Sequence, residues 1–269
     1  MTEFPGNFAL ARAYSKVEQE AYSAFASTIS EEDGKALRLG RRTVWLRRTR
    51  ILSRFLSEQG IALPEEFLRP YAIPVSERIS SGIPLKYQFR GYNILRDLAR
   101  VAIAAPELLQ PDTAPVSVLD PSAGGCGVVE AMRHYGHSVT SRDYFDPEQP
   151  LSLGNAYREI HAEIGVDIQN FDGRSRPYGF EDDSFDYVFC FQALDAYAPM
   201  SDWSEAVEEL LRIASKGVIL VFNPSGRDKT GLIGGIYRML LQLEPRDLDV
   251  TSFTCPDTNL PGMKLQYRA

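Results

Sequence analysis

Residues 118–127 read Val118-Leu119-Asp120-Pro121-Ser122-Ala123-Gly124-Gly125-Cys126-Gly127. An apolar run enters an acid, a proline breaks it, and small residues lead to the point where helical periodicity begins. This texture predicts a strand over 116–119, a tight loop, and a helix over 126–135. Small side chains in such a loop let the backbone approach a ligand, and the helix start offers free N–H groups to it. The same residues also suit a tight strand-to-helix turn that binds nothing.

Downstream, short apolar runs alternate with helical segments. Strands are expected at 138–142, 166–169, 185–191, 217–222, 248–254 and 263–268, and helices at 153–163, 203–214 and 230–243. The clearest strand is Phe185–Phe191, where Phe, Tyr and Val crowd together. Alternating strands and helices build a parallel sheet covered on both faces, so the fold class is α/β: a doubly wound, mostly parallel, seven-stranded sheet. The last two strands have no helix between them and are expected to pair antiparallel at an edge. Upstream, helices are expected at 7–28, 35–58 and 86–105. Pro64, Pro70, Pro74 and Pro84 mark a connector over 61–84. The chain thus divides into an N-terminal helical segment (1–60), a connector with a cap helix (61–110) and a ligand-binding α/β domain (111–269).

The 269 residues are 44% apolar and 24% charged, which excludes a mostly disordered chain. No apolar run approaches the ~20 residues that span a bilayer, so no membrane partner is expected. The first residues lack the basic-then-apolar pattern of a secretory signal. Cys126, Cys190 and Cys255 form neither a disulfide framework nor a zinc spacing, which suggests reduced thiols in a cytoplasmic protein. His134 and His137 have no cysteine or acidic companion, so no metal is expected. Net charge is −7, yet Lys35 to Arg54 carries eight cations and no acid, leaving −15 elsewhere. That helix either docks on the acidic body through Leu37, Val44, Trp45, Ile51, Leu52 and Phe55, or it holds phosphates.

Two ligand classes suit the first loop. For a dinucleotide, Ser122, Gly124 and Gly127 occupy the G-x-G-x-x-G spacing with its first glycine replaced. Further residues favour the other class. Asp143 ends the second strand, where a carboxylate accepts hydrogen bonds from ribose hydroxyls. Asn170-Phe171-Asp172-Gly173 follows the third strand, and Phe180-Glu181-Asp182-Asp183-Ser184-Phe185-Asp186-Tyr187-Val188 leads into the fourth. Glu209-Leu210-Leu211-Arg212-Ile213 and Lys216-Gly217 precede and open the fifth.

In this order, over roughly 112–269, the sequence resembles the class I S-adenosylmethionine-dependent methyltransferases, whose fold is Rossmann-like. Their first motif is a strand ending in an acid, then G-x-G-x-G. Here Asp120, Ser122, Gly124 and Cys126 hold those positions, and only Gly124 keeps the glycine. Residues 180–188 resemble the family's Pro-Phe-x-Asp-x-Ser-Phe-Asp-x-Val run, and 209–217 echo its E-x-x-R-V-L-K-P-G-G segment. The resemblance implies S-adenosyl-L-methionine as cofactor. It would be held by Asp120, Ser122, Gly124, Cys126, Asp143, Tyr144, Asp172, Gly173 and Gln192, with Asp172 at the adenine amino group. Asp120 also suits a plain loop cap, and Asp186 and the Asp182–Asp183 turn read as structural.

Methyl transfer is an in-line displacement that needs positioning and, for an amine or hydroxyl acceptor, a base. The stretch Gln192–Tyr197 leaves the fourth strand beside the implied methyl group. Asp195 is the candidate base and Tyr197 a candidate wall of the acceptor pocket; otherwise Asp195 opens a loop and Tyr197 packs. Relatives acting on small molecules often carry His near this point. No Asn-Pro-Pro-Tyr run follows the fourth strand (Asn223-Pro224 follows the fifth), which speaks against base-flipping amino-methylating enzymes. Tyr87, Phe89 and Tyr92 either shape the site or fill the core beneath the cap. The expected acceptor is an oxygen or nitrogen of a small or sugar-like molecule. The alternatives are a nucleic acid bound through residues 35–54, or a methyltransferase-like protein that binds without catalysis.

Overall fold

The structure, a computed structural model, describes residues 48–62, 64, 67, 90–145, 153–223 and 229–268. The helix expected at 7–28, residues 35–47 of the basic helix, most of the proline-marked connector, Tyr87, Phe89 and Pro224 lie outside the described residues.

Seven strands form one sheet. They are β1 (Ser117–Asp120), β2 (Ser138–Asp143), β3 (Gln169–Asn170), β4 (Phe185–Phe191), β5 (Ala214–Val221), β6 (Leu248–Thr254) and β7 (Pro261–Tyr267). Their order is β3-β2-β1-β4-β5-β7-β6. Strands β1 to β5 are parallel, and β7 runs antiparallel to both β5 and β6. The chain winds outward from β1 to β3, then crosses back to β4 and winds the other way. The carboxyl ends of β1 and β4 therefore flank the switch point, the crevice at which open sheets of this kind bind ligands.

Two strands differ from the sequence expectation. β3 is not Val166–Gln169 but two residues, paired only with Arg142 and Asp143. Val166 instead packs with Ala123, Cys126 and Val129, so its apolar character serves burial rather than a ladder. β5 begins at Ala214, before the polar Ser215 and Lys216 that hid its start.

Seven helices are described: α1 (residues 48–58), α2 (Arg90–Ala104), α3 (Gly127–His134), α4 (Leu153–Glu163), α5 (Leu194–Tyr197), α6 (Trp203–Arg212) and α7 (Lys229–Leu243). Leu52 and Leu56 of α1, Leu95 and Leu98 of α2, and Val128 and Met132 of α3 share one core with Val118, Tyr187, Phe189 and Ile219. On the opposite face Trp203, Val207 and Leu210 of α6 and Leu232 and Met239 of α7 pack on Val188, Cys190, Val218 and Leu220. The two-residue period of β4 thus feeds both cores. A bulge between Phe185 and Tyr187 breaks that period and puts Phe185 on the Val188 side.

Helix α2 is buried almost all round, and Arg90 at its start pairs with Glu130 of α3. At the amino edge of the sheet Asp186 accepts the Ser117 N–H at 2.7 Å and pairs with Lys216 at 2.9 Å, while Asp182 pairs with Arg212 at 2.6 Å. These acids are staples far from the crevice. Among the described residues no helix is long and apolar enough to cross a membrane.

Candidate cofactor site

The loop after β1 is held from several sides. Asp120, 2% exposed, accepts the Ser122 N–H at 3.2 Å beneath the loop. Burial, and then the neighbouring charge of Asp97, push its carboxyl well above the usual range. Gly124 has φ +46, a left-handed turn that suits glycine. Its N–H donates to Asp143 Oδ2 at 2.7 Å, and its carbonyl accepts from His161 Nε2 at 2.8 Å. The other Asp143 oxygen accepts the Tyr144 N–H at 2.8 Å. Burial raises Asp143 to about 6, against the pull of those two N–H groups. Burial likewise lowers His161 to about 4, so the ring is neutral at pH 7 and Nε2 carries the proton it shares with Gly124.

Two non-glycine residues flank the crevice in the left-handed region, Cys126 at φ +58 and Gln192 at φ +59. Each costs about 1–2 kcal/mol, a strain that collects at functional sites. Cys126 occupies the third family glycine position. It opens α3 with no side-chain cap, and its thiol is buried. The Gln192 N–H donates to the Val221 carbonyl at 2.7 Å, and its side chain accepts from Arg100 Nη2 at 2.6 Å.

The smallness of this loop serves a helix as well as any ligand. A Cβ on Gly125 would overlap the Asn93 amide, and one on Gly127 would overlap Asp97 and the Asn93 backbone. Helix α2 thereby lies directly on the loop. Asp97 pairs with Arg96 at 2.7 Å and with Arg100 at 2.9 Å. The Arg100 guanidinium, 1% exposed, stacks 5.1 Å over Phe191 at the end of β4. The Tyr92 hydroxyl donates to Asp257 in the β6–β7 turn at 2.9 Å.

The remaining sequence-nominated residues gather at the same edge. Asp172 is clamped by Arg174 through both oxygens, at 2.7 and 2.9 Å, which holds its carboxyl below the usual range. Arg174 also stacks 4.9 Å over Tyr144, which is 40% exposed. Gly173 abuts the Tyr197 ring, and the buried Tyr197 hydroxyl donates to the Pro121 carbonyl at 2.7 Å. Tyr197 therefore packs between the loops after β1 and β3. Asp195, half-buried in α5, is raised by burial. Asp120, Asp143 and Tyr197 lie close enough to perturb one another.

Sequence reasoning missed Asn93, Asp97, Arg100, His161 and Arg174. A signal for the first three existed: polar residues at i, i+4 and i+7 among the apolar residues of one helix mark one buried polar stripe. Among the described residues no cluster of three or more His, Cys, Asp or Glu suits a metal. Both ring nitrogens of His137 are engaged, by the Val116 N–H and the Leu108 carbonyl.

Residues 119–222 match the family model of the methyltransferase domain. The match, the parallel sheet and its antiparallel β7 agree with the resemblance of residues 112–269 to the class I S-adenosylmethionine-dependent methyltransferases. Similar solved structures include a magnesium protoporphyrin IX methyltransferase from Synechocystis PCC 6803 with bound S-adenosylmethionine, at 14% identity and TM-score 0.46, covering 64% of this chain and 79% of that one. A SAM-dependent methyltransferase from Aquifex aeolicus aligns at 17% identity and TM-score 0.42, over 65% of this chain and 95% of that one. A Pyrococcus horikoshii protein aligns at 16% identity and TM-score 0.46, over 64% and 91%. No curated protein matches the sequence.

Proposed function

We propose that this protein transfers a methyl group from S-adenosylmethionine to an oxygen or nitrogen of a small or sugar-like acceptor. The residues present suit the cofactor: around the glycine loop the Ser122 hydroxyl and both Asn93 amide atoms are buried without a protein partner. Asp143 has lone pairs beyond the two its backbone donors use and is the ribose-holding acid. Asp172 keeps one acceptor site beside its Arg174 clamp, for the adenine amino group. Ser122, Gly124 and Cys126 supply the close backbone, and Tyr144, Gly173 and Gln192 border it. When bound, the cofactor supplies a methyl group activated by the sulfonium charge.

The observation that favours this acceptor class is the packing of α2 against the loop after β1. That helix is also tied to Gln192, just past β4, through Arg100 and to the β6–β7 turn through Tyr92. Tight packing beside the loop excludes water and suits a small acceptor better than a polymer lying in a groove. Asp195, beside the end of β4 with its carboxyl raised by burial, is placed to take the acceptor's proton. The nucleic-acid alternative draws less support from the described part of the basic helix. Arg54 is spent on Glu58 at 2.8 Å, and Leu52 and Leu56 dock α1 into the core.

The test is transfer of labelled methyl from S-adenosylmethionine into a cell extract divided into low-molecular-mass, RNA and protein fractions. Label in the low-molecular-mass fraction is expected. Label confined to RNA would replace this reading with the nucleic-acid one.

A further inference from the structure

We infer that Asn93, which lies outside the matched methyltransferase domain, is a cofactor-binding residue that reads the amino-acid end of S-adenosylmethionine. The inference rests on the cofactor reading above and adds a residue that neither the loop motif nor the family model contains.

Asn93 is fully buried (0% exposed) in α2, a helix whose other inward side chains are mostly apolar. Neither its Oδ1 nor its Nδ2 has a hydrogen-bond partner. Buried polar groups are almost always paired, and an amide left unpaired is destabilising where a leucine of similar size is not. The other polar members of this stripe have partners: Asp97 accepts from Arg96 and Arg100, and Arg100 donates through both Nη atoms to Asp97 and Gln192, with only its Nε unpaired. The Asn93 amide lies against Gly125, in the loop that also presents the unpartnered Ser122 hydroxyl. Two independent orphaned side chains, from separate elements, thus border the same loop at the uncapped start of α3.

The chemistry of an amide narrows the ligand. Nδ2 donates two hydrogen bonds and Oδ1 accepts two, so one side chain serves an adjacent anion and cation. An α-ammonium and α-carboxylate on one carbon form such a pair. Adenosine offers no carboxylate, and its ring and ribose are assigned to Asp172 and Asp143 across the crevice.

The experiment compares two probes by calorimetry. S-adenosylhomocysteine carries the amino-acid end; 5′-methylthioadenosine keeps the adenosyl and sulfur parts and lacks it. Asn93→Leu is expected to weaken S-adenosylhomocysteine about tenfold or more, the scale for hydrogen bonds to charged groups. It leaves 5′-methylthioadenosine within about twofold and does not lower the melting temperature of the ligand-free protein. Should the leucine variant fold poorly, Asn93→Asp decides: it keeps the size, loses the donor and sets a negative charge against the carboxylate, so the same selective loss is expected. Equal loss for both probes, or none for either, overturns the inference. Wild-type protein that binds neither probe would overturn the cofactor reading itself.

Discussion

The carboxylate of Asp143, at the end of β2, accepts the backbone N–H of Gly124 at 2.7 Å across 19 residues of chain. On the other side of the same residue, His161 of α4 donates to the Gly124 carbonyl at 2.8 Å. The tightest point of the glycine loop is therefore gripped at both peptide groups by side chains from two different elements. Such a loop is formed before any ligand arrives, and ligand binding then loses less conformational entropy.

Binding of S-adenosylhomocysteine should depend on pH through Asp143. With its carboxyl at about 6, the ionised form that accepts most strongly from ribose hydroxyls grows as pH rises through that value. Affinity measured by calorimetry is expected to increase across this range. The Asp143→Asn variant should bind more weakly and show a flatter profile. An unchanged profile in the variant would assign the titration to another group.

His161 makes an opposite contribution to stability. Its folded value near 4 is below the ordinary 6.5, so the stability it contributes is full above about 6.5 and is lost as pH falls through about 4. Asp143, raised from 3.8 to about 6, contributes stability that is full below about 4 and lost as pH rises through about 6. Replacing His161 with Leu strands the Gly124 carbonyl, at a cost of about 1–3 kcal/mol at neutral pH. Denaturant titrations at a series of pH values should show a shallower acid-side loss in this variant than in the wild type. Parallel curves would remove His161 from the acid response.

Gly127→Ala tests the contact between α2 and the loop. The added methyl would meet the Asn93 backbone and the Asp97 carboxylate, which Arg96 and Arg100 hold in place. The expected destabilisation is about 1–3 kcal/mol, the usual scale of overpacking, together with weaker S-adenosylhomocysteine binding as α2 is displaced. A variant as stable as wild type would show that α2 rides more loosely than the structure describes.

Much of this architecture was legible in the residues. Phe185–Phe191 announced β4, and Asp120 and Asp143 end β1 and β2, with Asp172 two residues past β3, because strand length and loop spacing are local properties. β3 was not, since its two residues depend on pairing with Arg142 and Asp143 rather than on any pattern of their own. Gly125 and Gly127 read as either a ligand loop or a tight turn, and neither reading foresaw the helix resting on them, a contact set by tertiary packing. The Arg174 clamp on Asp172 and the left-handed backbone of Gln192 carry no pattern in sequence at all. Tyr197 read as either a pocket wall or a packed ring, and its hydrogen bond to the Pro121 carbonyl had no signal in sequence.

Asp195→Asn separates chemistry from binding. As a base, Asp195 acts on the acceptor and not on the cofactor, so turnover should fall by about 100-fold or more while S-adenosylhomocysteine affinity stays near wild type. Steady-state kinetics with the labelled acceptor and calorimetry with the product together read this. Lost affinity with retained turnover would give Asp195 a structural role instead.

The central claim is that an adenosyl cofactor lies at the carboxyl edge of β1, β2 and β4, gripped by Asp143. Titration of S-adenosylhomocysteine into wild-type protein and into Asp143→Ala tests it most directly. Saturable binding that weakens in the variant by about 1.5–3 kcal/mol is expected, the scale of hydrogen bonds to a charged group. Equal affinity in the two proteins, or no binding to the wild type, would contradict it.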